Sequence, residues 1–308
     1  MQQTGEHKKS SNLAQRILTA LIAIPALLLL IIYVPNGYGL LGVGVIISMA
    51  ALYEYFQLVL VHPTRPAAII TFALAALLWY GAYSFFEVQN SSQFRRETES
   101  LMADLPLAAL LLTPVMSLAL LFDPHTKRPL HTLGLLFIGL FYVIVPFILF
   151  YIAGFRMGDE PLRLLDLQYP QTSYEFHRPL GVLLLTWASD TGAYFAGRAF
   201  GKHKLWAKIS PGKTWEGAAG GLLLAMGIAL VLQYTWQTAD VNWFAVAAVV
   251  MVFGLLGDLV ESQFKRSVKV KDSGGILPGH GGLLDRFDGF LLAMPIVSAY
   301  LYWLSLHG

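Results

Sequence analysis

Residues 242–288 read NWFAVAAVVMVFGLLGDLVESQFKRSVKVKDSGGILPGHGGLLDRFD. The first part, 242–257, is a run of 16 residues, apolar after Asn242, which with the turn that follows approaches the roughly 20 a helix needs to cross the hydrocarbon core of a bilayer. The second part, Asp258 to Asp288, holds four Asp, one Glu, three Lys, two Arg and a His. A further apolar run follows at once. In a chain that is 56% hydrophobic and only 13% charged, this window stands apart. Charge at the edge of a membrane core is costly, so its concentration there points to function.

Working outward, composition sets the class. The 308 residues have a mean hydropathy of +0.58 and repeated long apolar runs. Lipid offers no partners to backbone amides and carbonyls, so such runs must be helices. The expectation is an all-α, polytopic integral membrane protein of about nine transmembrane helices, with the active site between the C-terminal helices on the cytoplasmic side. The spans are read at 14–34, 39–61, 67–86, 105–122, 130–153, 179–198, 217–236, 242–262 and 284–305. Pro35, Pro63, Pro66, Pro124, Pro129 and Pro179 punctuate the gaps, as helix breakers should. Residues 1–12 are polar and read as a disordered tail. The remainder, 13–308, reads as one membrane domain, with scaffold spans over 14–153 and catalytic spans and loops over 179–305. The run Ile17 to Val34 is too long for a signal-peptide core and reads as a retained helix. There is no cysteine, hence no disulfide framework and no thiolate site. A net charge of +2 speaks against nucleic-acid binding.

The distribution of basic residues supports the count. With the N-terminus in the cytoplasm, the inner segments hold 16 of the 21 Lys and Arg, and the outer ones only Arg95, Arg96, Arg156, Arg163 and Arg178. That is the bias the positive-inside rule requires. A multi-pass location in a bacterial inner membrane, with N-terminus and active site cytoplasmic, is the resulting expectation. The outer loop from Gly154 to Arg178 reads as a solvated connector. Glu54, late in the second span, reads as an acid that snorkels or pairs with Arg65, although intramembrane acids also line cavities.

The chemistry concentrates in the C-terminal half. Thr186, Asp190, Tyr194 and Arg198 fall at i, i+4, i+8 and i+12, on one face of a helix. Next comes the basic loop RAFGKHKLWAKISPGKTWEG, in which Ser210, Lys213, Thr214 and Glu216 stand just before a helix N-terminus, a natural phosphate site. The GKT triplet echoes a P-loop, but the upstream glycine and a preceding strand are missing, so a P-loop NTPase is rejected. In the opening window Asp258, Glu261, Ser262, Lys265 and Arg266 share one helical face, with acids deep and bases shallow. Lys271, Asp272 and a glycine-rich stretch around His280, including Gly281 and Gly282, lead to Asp285, Arg286 and Asp288 in the first turn of the last helix. Hard oxygen ligands without cysteine suit Mg²⁺ or Mn²⁺. Carboxylate-held metal with Lys and Arg around phosphate is the equipment of phosphoryl and nucleotidyl transfer.

These residues resemble a known signature. The run S-x-F-K-R-x-x-x-x-K-D, then L-P-G-H-G-G, then D-R-F-D, spans Ser262 to Asp288 and is similar to that of the phosphatidate cytidylyltransferases, or CDP-diacylglycerol synthases. SPGKTWEG and WASDTGAY resemble further motifs of that family. The likeness covers residues 180–292, and the first five spans match only in character. It implies that CTP and phosphatidic acid give CDP-diacylglycerol and pyrophosphate with Mg²⁺, in a membrane homodimer; a second, monovalent cation is left open. Asp258, Asp285 and Asp288 are then the expected metal ligands, with Asp190 and Asp272 next. Lys213, Lys265, Arg266, Lys271 and Arg286 would hold the triphosphate and the lipid phosphate, and His280 would orient phosphate. Ser210, Thr214, Glu216, Ser262, Gly281 and Gly282 complete the expected substrate contacts.

Two other classes compete. A CTP-dependent lipid kinase, of the dolichol- or phytol-kinase kind, would use similar residues. A transporter would distribute intramembrane polar groups to both sides, and here they crowd one side. The leaving product separates the first pair: pyrophosphate is the expected release from CTP, and CDP would mark a kinase.

Overall fold

The structure, a computed structural model, describes residues 21–60, 66–90, 128–157, 172–236, 241–276 and 281–307, together with Pro114, Ser117, Leu118 and Leu120. Eight helices are defined over these residues. They are α1 (Leu21–Tyr33), α2 (Tyr38–Val59), α3 (Pro66–Asn90), α4 (Pro129–Ala153), α5 (His177–Phe200), α6 (Trp215–Trp236), α7 (Trp243–Ser267) and α8 (Leu284–His307). Two antiparallel pairs of short strands sit between them, β1 (Phe155–Met157) with β2 (Thr172–Tyr174), and β3 (Lys204–Trp206) with β4 (Ser210–Thr214).

Six helices (α2, α3, α4, α6, α7 and α8) are long and apolar enough to cross a membrane. This is the all-α, multi-span architecture the composition requires. Helix α5 has the length, 24 residues, but its polar stretch from Thr186 to Tyr194 keeps it from that set. Most of the span expected at 105–122, and residues 14–20, lie outside the described residues. Helix α4 carries a widened π turn at Leu140–Ile144, where the Val145 amide reaches back to Leu140 O. It immediately precedes Pro146, whose ring supplies no donor and crowds the preceding turn, so the irregularity has a local cause. Asn242 caps α7, its side-chain oxygen accepting from the Phe244 and Ala245 amides at 3.1 and 3.2 Å.

The connector between α4 and α5, expected as a solvated loop, is anchored at both of its described ends. Its two ends pair as β1 and β2, with Phe155 opposite Tyr174. Tyr174 donates to Ile31 O at 2.9 Å, and buried Arg178 donates to Phe155 O at 2.9 Å. These bonds anchor the strand pair to α1 and α5. Residues 158–171 between them lie outside the described residues.

Two helix crossings position the chemistry, and both depend on small residues. Between α5 and α6, a side chain at Gly220 would collide with Ala196, and one at Gly192 with Gly220 O. Apolar surface gives no net drive in lipid, so helices associate by this close backbone approach. Between α7 and α8, a Cβ on Gly257 would sit 2.7 Å from Asp288 O and 3.1 Å from Gly289 Cα. The chain neighbours of these glycines are Asp258 and Asp288, so the crossing places two of the expected acids at one contact. The remaining core is conventional, with Leu52, Phe56, Trp79, Tyr151, Leu185, Val246, Leu291 and Met294 buried.

Gly220→Leu is expected to lower the stability of the detergent-solubilised protein by about 1–3 kcal/mol through overpacking. A thermal unfolding curve matching the wild type would contradict the α5–α6 contact.

Candidate active site

The basic loop after α5 is a β-hairpin, and this corrects the expectation that no strand precedes α6. The β3–β4 register pairs Lys204 with Thr214 and Trp206 with Ser210. Local side chains hold it. Thr214, buried at the helix N-terminus, accepts the Gly217 amide at 3.1 Å, which makes it the cap of α6. Glu216 accepts the Lys202 and His203 amides, each at 3.2 Å, and binds the His203 ring at 2.5 Å through Nδ1. Both side chains are therefore engaged within the hairpin. The P-loop rejection stands, because the strand belongs to a two-stranded hairpin.

The hairpin delivers Lys213 to α7, where its ammonium pairs with the Asp258 carboxylate. Burial alone would lower the Lys213 pKa, but the adjacent Asp258 more than offsets it, and the net value lies above that of an ordinary lysine. Lys213 is thus cationic throughout the physiological range. Ser262, one turn along α7, donates weakly to Asp258 Oδ1 at 3.4 Å. Asp190 on α5 is exposed, and Lys213 and Asp258 are the charges acting on it.

A second cluster joins α7 to α8. Lys265 Nζ lies 2.6 Å from Asp285 Oδ1 and 3.4 Å from Glu261 Oε1. The other Asp285 oxygen accepts the Ser273 and Gly282 amides at 3.0 and 3.2 Å. Asp288 bonds the Gly289 amide at 2.7 Å. Glu261 is 1% exposed, and neither of its oxygens has a hydrogen-bond partner. A buried carboxylate whose compensation is so long a contact with Lys265 demands an explanation.

Arg266 is exposed and donates to Val270 O at 3.1 Å. Lys271, Asp272 and Arg286 are exposed, and Ser210 is half-buried at the start of β4. Gly281 has a φ of +84°, which suits glycine alone, and buried Gly282 follows it. His280 lies outside the described residues. Among the described residues, no three Asp, Glu or His side chains converge to hold a metal ion. Asp258 and Asp285 instead meet Lys213 and Lys265. The donor set nevertheless suits a hard cation, being all oxygen.

Two acids escaped the candidate list drawn from sequence. Glu261 was legible from its i+3 spacing to Asp258 and i+4 spacing to Lys265. Glu54 was not. It does not snorkel: it is 0% exposed, and its carboxylate accepts the Leu284 amide at 2.9 Å and the Ile276 amide at 3.3 Å. Arg65, its other expected partner, lies outside the described residues.

Comparison with known proteins places this chain in a class. A profile of the cytidylyltransferase family matches residues 14–304. The chain belongs to that family. Its relatives carry a more particular name. It is 34% identical over 304 residues to the phosphatidate cytidylyltransferase of Bacillus subtilis, covering 95% of this chain and 97% of that one. It is 33% identical over 300 residues to the Haemophilus influenzae phosphatidate cytidylyltransferase, covering 94% and 99%. Against the Staphylococcus epidermidis phosphatidate cytidylyltransferase the identity is 52%, over 124 residues that make up 40% of this chain and 48% of the other.

Removing the cation from the buried cluster leaves two uncompensated carboxylates. Lys265→Met is therefore expected to destabilise the fold by about 3–5 kcal/mol. Adding Glu261→Gln should recover part of the loss, read as thermal unfolding in detergent.

Proposed function

We propose that this protein transfers the cytidylyl group of CTP to phosphatidic acid, releasing pyrophosphate and forming CDP-diacylglycerol in a membrane. The observation that carries the reading is the meeting of Lys213–Asp258 and Lys265–Asp285 at the α7–α8 crossing, with Lys213, Lys265 and Asp285 on the motifs that carry the family resemblance. Localisation follows as a cytoplasmic-facing site in a bacterial inner membrane, supported by the basic-residue bias, and a homodimer is the proposed assembly.

A phosphate oxygen of phosphatidic acid attacks the α-phosphorus of CTP. The new bond is P–O–P to the lipid phosphate, and the bond that breaks joins the α-phosphorus to the β-phosphate, which leaves in pyrophosphate. The lipid phosphate is ionised near neutral pH, so no residue has to remove a proton. The task left to the protein is positioning and charge neutralisation.

Lys213 and Lys265 are the two ammonium groups best placed to meet phosphate, and each is held by a carboxylate that fixes its direction. The exposed Arg266, Lys271 and Arg286 extend the positive field around them. Asp258, Asp285 and Asp288, with Glu261 beside them, would hold Mg²⁺ or Mn²⁺. When bound, such an ion draws charge from the phosphates during the transfer. Thr214 and Glu216 act through the hairpin, keeping Lys213 on α7. Asp190 stands on the side of α5 that faces this charge, and the diacyl tails would reach it sideways between spans.

Purified protein incubated with labelled CTP, phosphatidic acid and Mg²⁺ is expected to yield a nucleotide-linked lipid and pyrophosphate. Asp285→Asn should abolish this turnover while the variant remains folded. The assignment falls if no phosphatidic acid gives the product, or if CDP is released in place of pyrophosphate.

A further inference from the structure

Glu54 presents a chemical problem that the reaction above does not use. It lies on α2, in the half of the chain that otherwise serves as scaffold, more than 200 residues from the signature. Yet it is fully buried, and among the described residues no Lys or Arg pairs with it. A buried carboxylate without a cation is expensive unless hydrogen bonds offset it. Its offsets all come from one place. Oε2 accepts the Leu284 amide, the first of α8, at 2.9 Å, and Oε1 accepts the Ile276 amide at 3.3 Å. The helix N-terminus adds a favourable partial positive charge. Gly274 packs directly on the carboxylate, since a Cβ there would stand 2.5 Å from Oε1 and 2.7 Å from Cδ.

The same segment is gripped a second time from the other side. Asp285 Oδ2 accepts the Ser273 and Gly282 amides. Two carboxylates, one from α2 and one from α8, thus hold the Ser273, Ile276, Gly282 and Leu284 amides of the stretch that enters α8. Rotating or sliding the first turn of α8 would break the Glu54–Leu284 bond. That turn carries Asp285, which is bonded to Lys265, and Asp288 at the Gly257 contact.

We propose that Glu54 is a positioning residue for cytidylyl transfer: its carboxylate holds the Gly274–Ile276 turn and the start of α8 so that Asp285 and Asp288 keep their register with Lys265 and Asp258. The inference rests on the reading that these acids work in the reaction. It assigns to the N-terminal half a direct part in the geometry of the site.

Glu54→Gln keeps the shape but presents an NH₂ to one of the two amides, so one bond is lost. Gly274→Ala attacks the same contact from the loop side and leaves α2 untouched. Each variant is expected to lower kcat by about tenfold to a hundredfold, the scale of a misplaced catalytic group. KM for phosphatidic acid should stay within about threefold, as fits lost transition-state alignment more than lost binding. The double variant should be no slower than the slower single one, because both changes break one contact.

A merely structural Glu54 would lower the melting temperature and leave kcat intact at low temperature, and that result overturns the proposal. So does a double variant whose losses multiply. Should Glu54→Gln fail to fold, Gly274→Ala decides alone, and wild-type kcat in it overturns the proposal. Asp285→Asn separates the two levels: if it is inactive while Glu54→Gln is fully active, the positioning role fails and the site stands. If Asp285→Asn is itself active, the underlying site reading fails.

Discussion

Compensation of buried charge at the end of α7 is the constraint on which the rest of this structure depends. Lys265, scarcely exposed, has Asp285 on one side and Glu261 on the other. A single ion pair in such surroundings rarely repays its desolvation against an apolar alternative. Here the pair is supported by amides from the loop, and the loop by a second buried acid from α2. The arrangement is not a source of stability; under the proposed function it is equipment for handling phosphate. Each lysine is held by a carboxylate, so its charge is already directed before a ligand arrives.

The scaffold supplies what that charge requires, closely packed helix crossings. The α5–α6 and α7–α8 crossings are made by glycine and alanine, which let backbones approach where lipid gives no hydrophobic drive. The hairpin between α5 and α6 then brings Lys213 over the crossing, secured by the Thr214 cap and the Glu216 staple. In this way residues that look like phosphate ligands in a linear motif divide into two kinds. Lys213 meets the acids, while Thr214 and Glu216 hold the element that carries it.

Much of this was legible from the chain alone, because the signals were local and physical. Apolar runs separated by prolines located the helices, and helical spacing put Asp258, Glu261, Ser262 and Lys265 on one face. The strands of the hairpin were missed because they are short and hold Pro211 and Gly212, which carry no strand pattern. The pairing of β1 with β2 was missed because its partners are separated by a long polar stretch. Glu54 was misjudged for a different reason. An acid near the end of a span has an adequate local explanation in snorkelling, and nothing nearby in sequence contradicts it.

The sequence by itself determined the class of protein and the helices that bear its charged residues, since hydropathy and the 3.6-residue period are properties of each segment in isolation. Only the tertiary structure decided which charge meets which: Lys213 with Asp258, Lys265 with Asp285, and Glu54 with the first amide of α8. Those pairings depend on helix crossings and on groups up to 230 residues apart, and a one-dimensional period carries no record of either.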